Sequence, residues 1–287
     1  SLPPATGAWM RYLICMLAFY LWFFYKSAKG ERVRWLPDSR DAWIRIIFIA
    51  VFAVMGYQLL FMHGMKFTAA GDASLIITMN PIFTVLLASP FLGQRITGRM
   101  VYGLILAFIG VAVVTGWSPN TDIPLQDRLK GDFMIMLAAL CWATATNLTR
   151  IMLEVEGDYG ASSSEIVVWY SLVGTALLAP WWLADVYSGG FETPNNQDLV
   201  AILYLSILST VLAYIWFVVG VEKIGATSAS SYVFLVPPFG VLGGWLLLDE
   251  RLGASLLLGF VLIVLGVRVV QRESEAVGRA GRSPLQD

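Results

Sequence analysis

The chain has 287 residues, of which 57% are apolar types and only 14% are charged, and its formal net charge is −1. Water-soluble domains carry about 25% charged residues, so this chain lacks the polar surface of an ordinary cytosolic enzyme. Its wealth of large apolar residues equally excludes a disordered or collagen-like chain. With 19 Lys+Arg against 20 Asp+Glu there is no concentrated basic footprint for nucleic acid. Cys15 and Cys141 lie in apolar runs and are no disulfide framework. The single histidine, His63, excludes a His-rich metal site, and no metal or cofactor is expected.

Crossing the hydrocarbon takes about 20 mostly apolar residues in a helix. Nine stretches approach or exceed that length, and none alternates as a barrel strand would, so the sequence predicts an all-α integral membrane bundle. The first, 9–25, carries Arg11 near its start. The second, 43–65, contains Gln58 and ends at His63. The third, 72–91, places Ser74, Thr78 and Pro81 on one helical stripe with Asn80 beside it. The fourth, 100–116, carries Gly103 and Gly110 seven apart, hence on one face, where small residues let helices approach closely. The fifth, 131–152, aligns Trp142, Thr146 and Thr149, with Asn147 adjacent. The sixth, 165–186, opens on Glu165. The seventh, 198–220, aligns Ser206, Thr210 and Tyr214. The eighth, 227–247, carries Thr227, Ser231 and Tyr232 before Pro237 and Pro238. The ninth, 254–271, repeats the paired glycines as Gly259 and Gly266.

Prolines inside the third and eighth spans remove backbone donors. Matching breaks in two spans are the sequence pointer to a central site and to hinges at Pro81, Pro237 and Pro238. The candidate substrate-binding residues are Gln58, Thr78, Asn80, Trp142, Thr146, Asn147, Tyr214, Ser231 and Tyr232. Each also has an ordinary reading: Ser and Thr return bonds to their own helix, amides glue helices together, and the rings of Trp142, Tyr214 and Tyr232 pack. Arg11, Asp72, Arg150 and Glu165 all fall near span ends, which argues against an acidic proton or sodium relay. His63 reads as an interfacial or packing residue.

A repeat runs through the chain at an offset of 156 residues. Leu92-Gly93-Gln94-Arg95-Ile96 returns as Leu248-Asp249-Glu250-Arg251-Leu252. Gly103, Gly110 and Val111 return as Gly259, Gly266 and Val267, Pro81 and Phe83 as Pro237 and Phe239, and Phe61 and Gly64 as Phe217 and Gly220. The offset spans five crossings, an odd number, so the second copy enters from the opposite side and the copies are inverted repeats. The expected organisation is a first repeat at 1–116, a linker at 117–130, a second repeat at 131–271 and a polar tail at 272–287. The partner of the fifth span would precede Ser1, so the nine visible transmembrane helices are expected to belong to a ten-helix, 5+5 architecture. Alternate connections divide the Lys and Arg residues 14 against 5; the larger set, including the tail, is expected to be cytoplasmic.

These features resemble the EamA-type branch of the drug/metabolite transporter superfamily. The resemblance is carried by Leu2-Pro3-Pro4 followed by Arg11, by Gly71-Asp72-Ala73-Ser74-Leu75 leading to Asn80-Pro81-Ile82-Phe83-Thr84, and by Leu92 to Ile96 with Gly103 and Gly110. In the second half it rests on Gly131-Asp132, Cys141-Trp142-Ala143, Tyr214, Gly225 to Ser230, Pro237, Leu248 to Leu252, Gly259 and Gly266. The chain departs from the family pattern at Asp72 and at Gln94. The resemblance implies two inverted five-helix halves and an exporter of amino-acid-like or drug-like metabolites in the cell membrane. Its partners would be a small-molecule substrate and the lipid bilayer, with a homodimer compatible. A passive channel for small polar solutes is the alternative. An intramembrane enzyme is disfavoured, because no GxSxG turn, no paired carboxylates within a span and no P-loop occur.

Overall fold

The computed structural model describes residues 3–68, 73, 76–115, 124–157, 161–189, 194–239 and 254–281. Among them run nine helices: α1 (Pro4–Ala28), α2 (Arg40–Gly64), α3 (Asn80–Leu92), α4 (Gly98–Thr115), α5 (Leu125–Gly157), α6 (Ser163–Gly189), α7 (Asn196–Ile224), α8 (Ala226–Ser231) and α9 (Ala254–Gly281). Five of them, α1, α2, α5, α6 and α7, are long and apolar enough to cross a membrane. No strand occurs among the described residues.

Several helices overrun the apolar stretches that predict them, because backbone hydrogen bonding does not stop where hydropathy falls. Thus α5 begins at Leu125 and not at 131. Polar starts are capped: Ser39 Oγ accepts the Ala42 N–H at 3.0 Å, and Asn195 and Asp198 exchange side chain-to-backbone bonds as a capping box before α7.

The third and eighth spans are not the single kinked helices expected. A turn at Thr78–Met79 separates the helical residues before it from α3, so Pro81 stands in the opening turn of a new helix. A missing N–H costs nothing there, since that donor has no intrahelical partner anyway. Likewise α8 ends at Ser231, tightens into a 3₁₀ turn over Tyr232–Leu235, and helix resumes at 236–239 with Pro237 and Pro238 in its first turn. Asp72, Ser74 and the Leu248-to-Leu252 motif lie outside the described residues.

The 156-residue period reappears in the elements. Helical starts at 40, 80 and 98 return at 196, 236 and 254. Both α2 and α7 contain one widened π turn, Val51–Gly56 and Ile207–Leu212, again 156 apart.

The chain divides into two compact units, residues 1–58 with 148–223, and residues 59–147 with 224–287. In the first unit α1 packs on α6 and on α7, while α6 packs on α2; the α1–α7 contact thus has its repeat-related counterpart in α6–α2. Tyr12, Phe19, Phe23, Ile46, Ile49 and Trp169 fill its core. Gly174 of α6 admits Val54 so closely that a Cβ there would stand 2.5 Å from the valine Cβ. Trp9 and Trp182 stack with centroids 4.0 Å apart.

In the second unit α4 and α9 form the closest helix pair. A Cβ on Gly103 would lie 2.8 Å from the Gly266 carbonyl oxygen, and one on Gly110 would lie 2.8 Å from that of Gly259. The pairing of 103 with 266 and 110 with 259 is antiparallel. It is also self-complementary, because each glycine meets the repeat mate of the other, as at a two-fold interface. Val85, Leu104, Ala107, Val111, Phe234, Ile263 and Val267 pack around this seam. On the opposite face of α4, Val101, Ile105 and Ile109 are exposed, as are Leu13, Leu17, Leu21 and Phe24 along α1. Small residues inward and large apolar residues outward are the pattern of helices whose solvent is hydrocarbon.

Candidate functional site

The first unit gathers a polar group around Arg11. α1 carries Arg11 and Tyr12; the π turn of α7 carries Thr210 and leads to Tyr214; the π turn of α2 leads to Tyr57 and Gln58; α6 supplies Tyr170. In each π turn the N–H of the residue after it reaches back five residues, Tyr57 to Phe52 and Ala213 to Leu208. The extra residue rotates the C-terminal part of the helix relative to the N-terminal part, and such turns concentrate at functional sites. The Thr210 hydroxyl supports its turn by bonding the Leu205 carbonyl at 2.9 Å.

Arg11 Nε donates to Thr210 Oγ1 at 2.6 Å, and the guanidinium stands 5.7 Å from the centroid of the Tyr12 ring. The Tyr12 and Tyr214 hydroxyls are 3.4 Å apart, the Gln58 side chain approaches Tyr12, and the Tyr170 and Tyr214 ring centroids are 6.4 Å apart. Tyr12, Gln58, Tyr170 and Tyr214 are all buried. The Arg11 charge interacts with Tyr214, Tyr12, Cys15 and Tyr57; among the described residues no carboxylate forms an ion pair with it. Below them the Cys15 thiol donates to the Ser206 carbonyl at 3.3 Å, and the Ser206 hydroxyl lies 3.1 Å from the Arg11 carbonyl oxygen.

The second unit holds a smaller polar group. Asn147 Nδ2 donates to the Thr84 carbonyl at 3.2 Å and to its own Ala143 carbonyl at 3.0 Å. The Thr84 hydroxyl lies 3.2 Å from Asn80 Oδ1. Asn147 is fully buried, yet its Oδ1 has no hydrogen-bond partner among the described residues.

The candidates from sequence therefore divide. Gln58 and Tyr214 meet at Tyr12 in the first unit. Asn80 and Asn147 meet at Thr84 in the second, where Thr78 is buried and Trp142 half-buried. Thr146 donates to the Trp142 carbonyl at 2.9 Å and Ser231 to the Ser228 carbonyl at 2.7 Å, the ordinary return bonds to their own helices. Tyr232 is exposed and joins neither group.

Other expectations fare unevenly. His63 Nδ1 donates to the Leu59 carbonyl at 2.8 Å, a packing arrangement. Glu165 caps α6: it accepts the Ser162 N–H at 2.7 Å and also the Arg34 N–H at 2.6 Å, pinning the α1–α2 connection. A depression of about 140 Å³ beside it, lined by Phe23, Lys26, Arg32 and Ser164, belongs to that junction. Arg150 closes the end of α7 through the Val221 and Glu222 carbonyls at 3.2 and 2.7 Å. Gln94 bridges two helices: its Oε1 accepts the Thr227 hydroxyl at 2.8 Å and its Nε2 reaches Ser274 at 3.4 Å. The sequence puts Arg11 near a span end, but its partner Thr210 sits midway along α7.

Sequence reasoning misses Tyr12, Tyr57 and Tyr170 and undervalues Arg11. The signal lies in the repeat. The mates of Arg11, Tyr12, Tyr170 and Thr210 at the 156 offset are Val167, Val168, Ile14 and Val54. A scaffold built twice needs only the apolar version, so the polar copy marks something the scaffold does not require.

Comparison with known proteins agrees with this architecture. An uncharacterised transporter of Archaeoglobus fulgidus is 28% identical over 85% of this chain and 81% of its own length. A probable terminal-alkyne amino-acid exporter of Streptantibioticus cattleyicolor is 26% identical over 86% of this chain and 79% of its own length. One solved crystal structure superposes with a TM-score of 0.76 over 96% of this chain and 90% of the other, at 18% identity, which speaks to fold alone. The EamA-like transporter family, within the drug/metabolite transporter superfamily, matches residues 1–116 and 129–272. The chain belongs to that family and is a multi-pass membrane transporter.

Proposed function

We propose that this transporter is a secondary carrier that exports small organic metabolites, amino-acid-like in character, across the cell membrane by alternating access. The observation that carries the reading is the pair of matched helix breaks, Thr78–Met79 before Pro81 and Tyr232–Leu235 before Pro237 and Pro238. Broken helices at corresponding positions of two repeats are where carriers place substrate and hinge. The self-complementary antiparallel seam of Gly103 with Gly266 and Gly110 with Gly259 and the matched π turns support a 5+5 inverted repeat. The amino-acid exporter among its relatives supports the substrate class. Each unit has its own candidate substrate contacts: Gln58 and Tyr214 in the first, Asn80 and Asn147 in the second. The basic bias favours a cytoplasmic side for residues 272–287.

The test is counterflow in proteoliposomes. A carrier preloaded with unlabelled substrate accumulates external label against its gradient. A passive channel equilibrates label without the overshoot, and that result sinks the carrier reading.

A further inference from the structure

Resting on that reading, we infer that Arg11, set among Tyr12, Tyr57, Tyr170 and Tyr214, is an anion subsite that holds the carboxylate of the transported solute. A guanidinium is never neutralised by losing its proton inside a protein. Taking it out of water is costly unless an opposite charge and hydrogen bonds compensate. Here the half-buried guanidinium donates through Nε to Thr210 and stands 5.7 Å from the centroid of the Tyr12 ring; among the described residues no carboxylate pairs with it. The fork of donors at the end of the guanidinium matches the two oxygens of a carboxylate.

The surrounding groups suit the same ligand. Tyr12 and Tyr214 bring their hydroxyls to 3.4 Å of each other, so one can donate to an oxygen that Arg11 holds. Tyr170 and Tyr214 pack with ring centroids 6.4 Å apart and planes inclined at 39°, an aromatic wall beside Arg11 for the uncharged part of a solute. Arg11 lies opposite the middle of α7, at Thr210, where an ionisable group is a functional feature by default. The repeat supplies the independent argument. At the related position of α6 stands Val167, and in the related π turn stands Val54; both are buried in the same unit. The helix pairing therefore works without a charge, and the charge is there for another purpose.

The test pairs a change in the ligand with a change in the protein. The purified full chain is heated in detergent with each of the twenty common L-amino acids and, separately, with the corresponding α-carboxamides. At least one amino acid should raise the melting temperature while its amide does not. Arg11→Gln should weaken that amino acid by about 10- to 100-fold, the scale of a lost charge-assisted hydrogen bond, and Arg11→Lys should restore part of the loss. The ligand arm needs no variant, so misfolding of Arg11→Gln cannot decide the matter. Equal shifts by acid and amide overturn the subsite, as does a folded Arg11→Gln that keeps its affinity. If no carboxylate gives a shift, the subsite fails as well; counterflow of an uncharged or cationic solute would then leave the carrier reading standing without it.

Discussion

Asn147 places a side-chain carbonyl oxygen in a fully buried position, with no donor for it among the described residues. An unsatisfied amide group costs about 1–3 kcal/mol relative to one with its partners, so the native state gains little from this side chain, and a donor on a ligand would find it ready. Asn147→Ala should leave the melting temperature of the detergent-solubilised protein nearly unchanged while counterflow falls by about tenfold, the effect of roughly 1.4 kcal/mol. A parallel collapse of folded protein would show that its bonds to Thr84 and Ala143 act as glue. Glu165 is the opposite case. Its two carboxylate oxygens accept backbone N–H groups from Ser162 and Arg34, and it is only 5% exposed. Glu165→Ala strands both donors and should destabilise the protein by about 2 kcal/mol, read as a lower thermal midpoint, with transport of the remaining folded protein little altered.

At the scale of elements, the α4–α9 seam depends on the absence of side chains. A Cβ on Gly266 would lie 2.5 Å from the Gly103 carbonyl oxygen, which is backbone and cannot swing aside. Gly266→Ala must push two helices apart, at about 1–3 kcal/mol. A methyl added at Gly7 in α1 would have nothing within 4 Å, so Gly7→Ala should instead gain about 0.5–1 kcal/mol from restricting the unfolded chain. Opposite signs for two Gly→Ala changes in apolar helices, measured side by side by thermal unfolding, would separate packing from propensity. The seam is legible in the sequence because seven-residue glycine spacing fixes a face. The break before Pro81 is legible as a break but not as a helix start, since a proline reads the same to hydropathy whether it bends one helix or opens the next. Gln94 is opaque, because its partners Thr227 and Ser274 lie far along the chain and no local rule pairs them.

At the scale of the whole molecule, the 156-residue period discloses the architecture more fully than any motif. Element starts and π turns obey it, and the residues that violate it, Arg11 and Tyr12 against Val167 and Val168, assemble the polar group of the first unit, with Tyr12 buried and Arg11 half-buried. Comparing the two copies for such violations exposes that group from the sequence alone. Matching motifs cannot, since motifs favour what the copies share. If the copies are inverted, residues 156 apart must face opposite sides of the membrane. With Cys15 and Cys141 replaced, Lys29→Cys should be protected from an impermeant thiol reagent added outside intact cells, and Asp185→Cys should react. Reaction of both, or of neither, would refute the inversion; reaction of Lys29→Cys alone would keep the inversion and reverse the orientation.

The π turns also govern how these helices tolerate insertion and deletion. Each holds a single surplus residue, so the stretches of α2 and α7 on either side of it are out of phase by about 100°. Removing one residue, Leu212, should let Ile207–Leu212 relax into an ordinary α turn and leave the helix intact. Everything C-terminal to it would rotate as a rigid crank, carrying Tyr214 away from Tyr12 while Thr210 stays beside Arg11. A short bifunctional thiol reagent should bridge a Tyr12→Cys/Tyr214→Cys pair readily in the parent and poorly once Leu212 is deleted. The surplus residue is thus a setting of the helix, and frame, not composition, decides what α7 presents to α1.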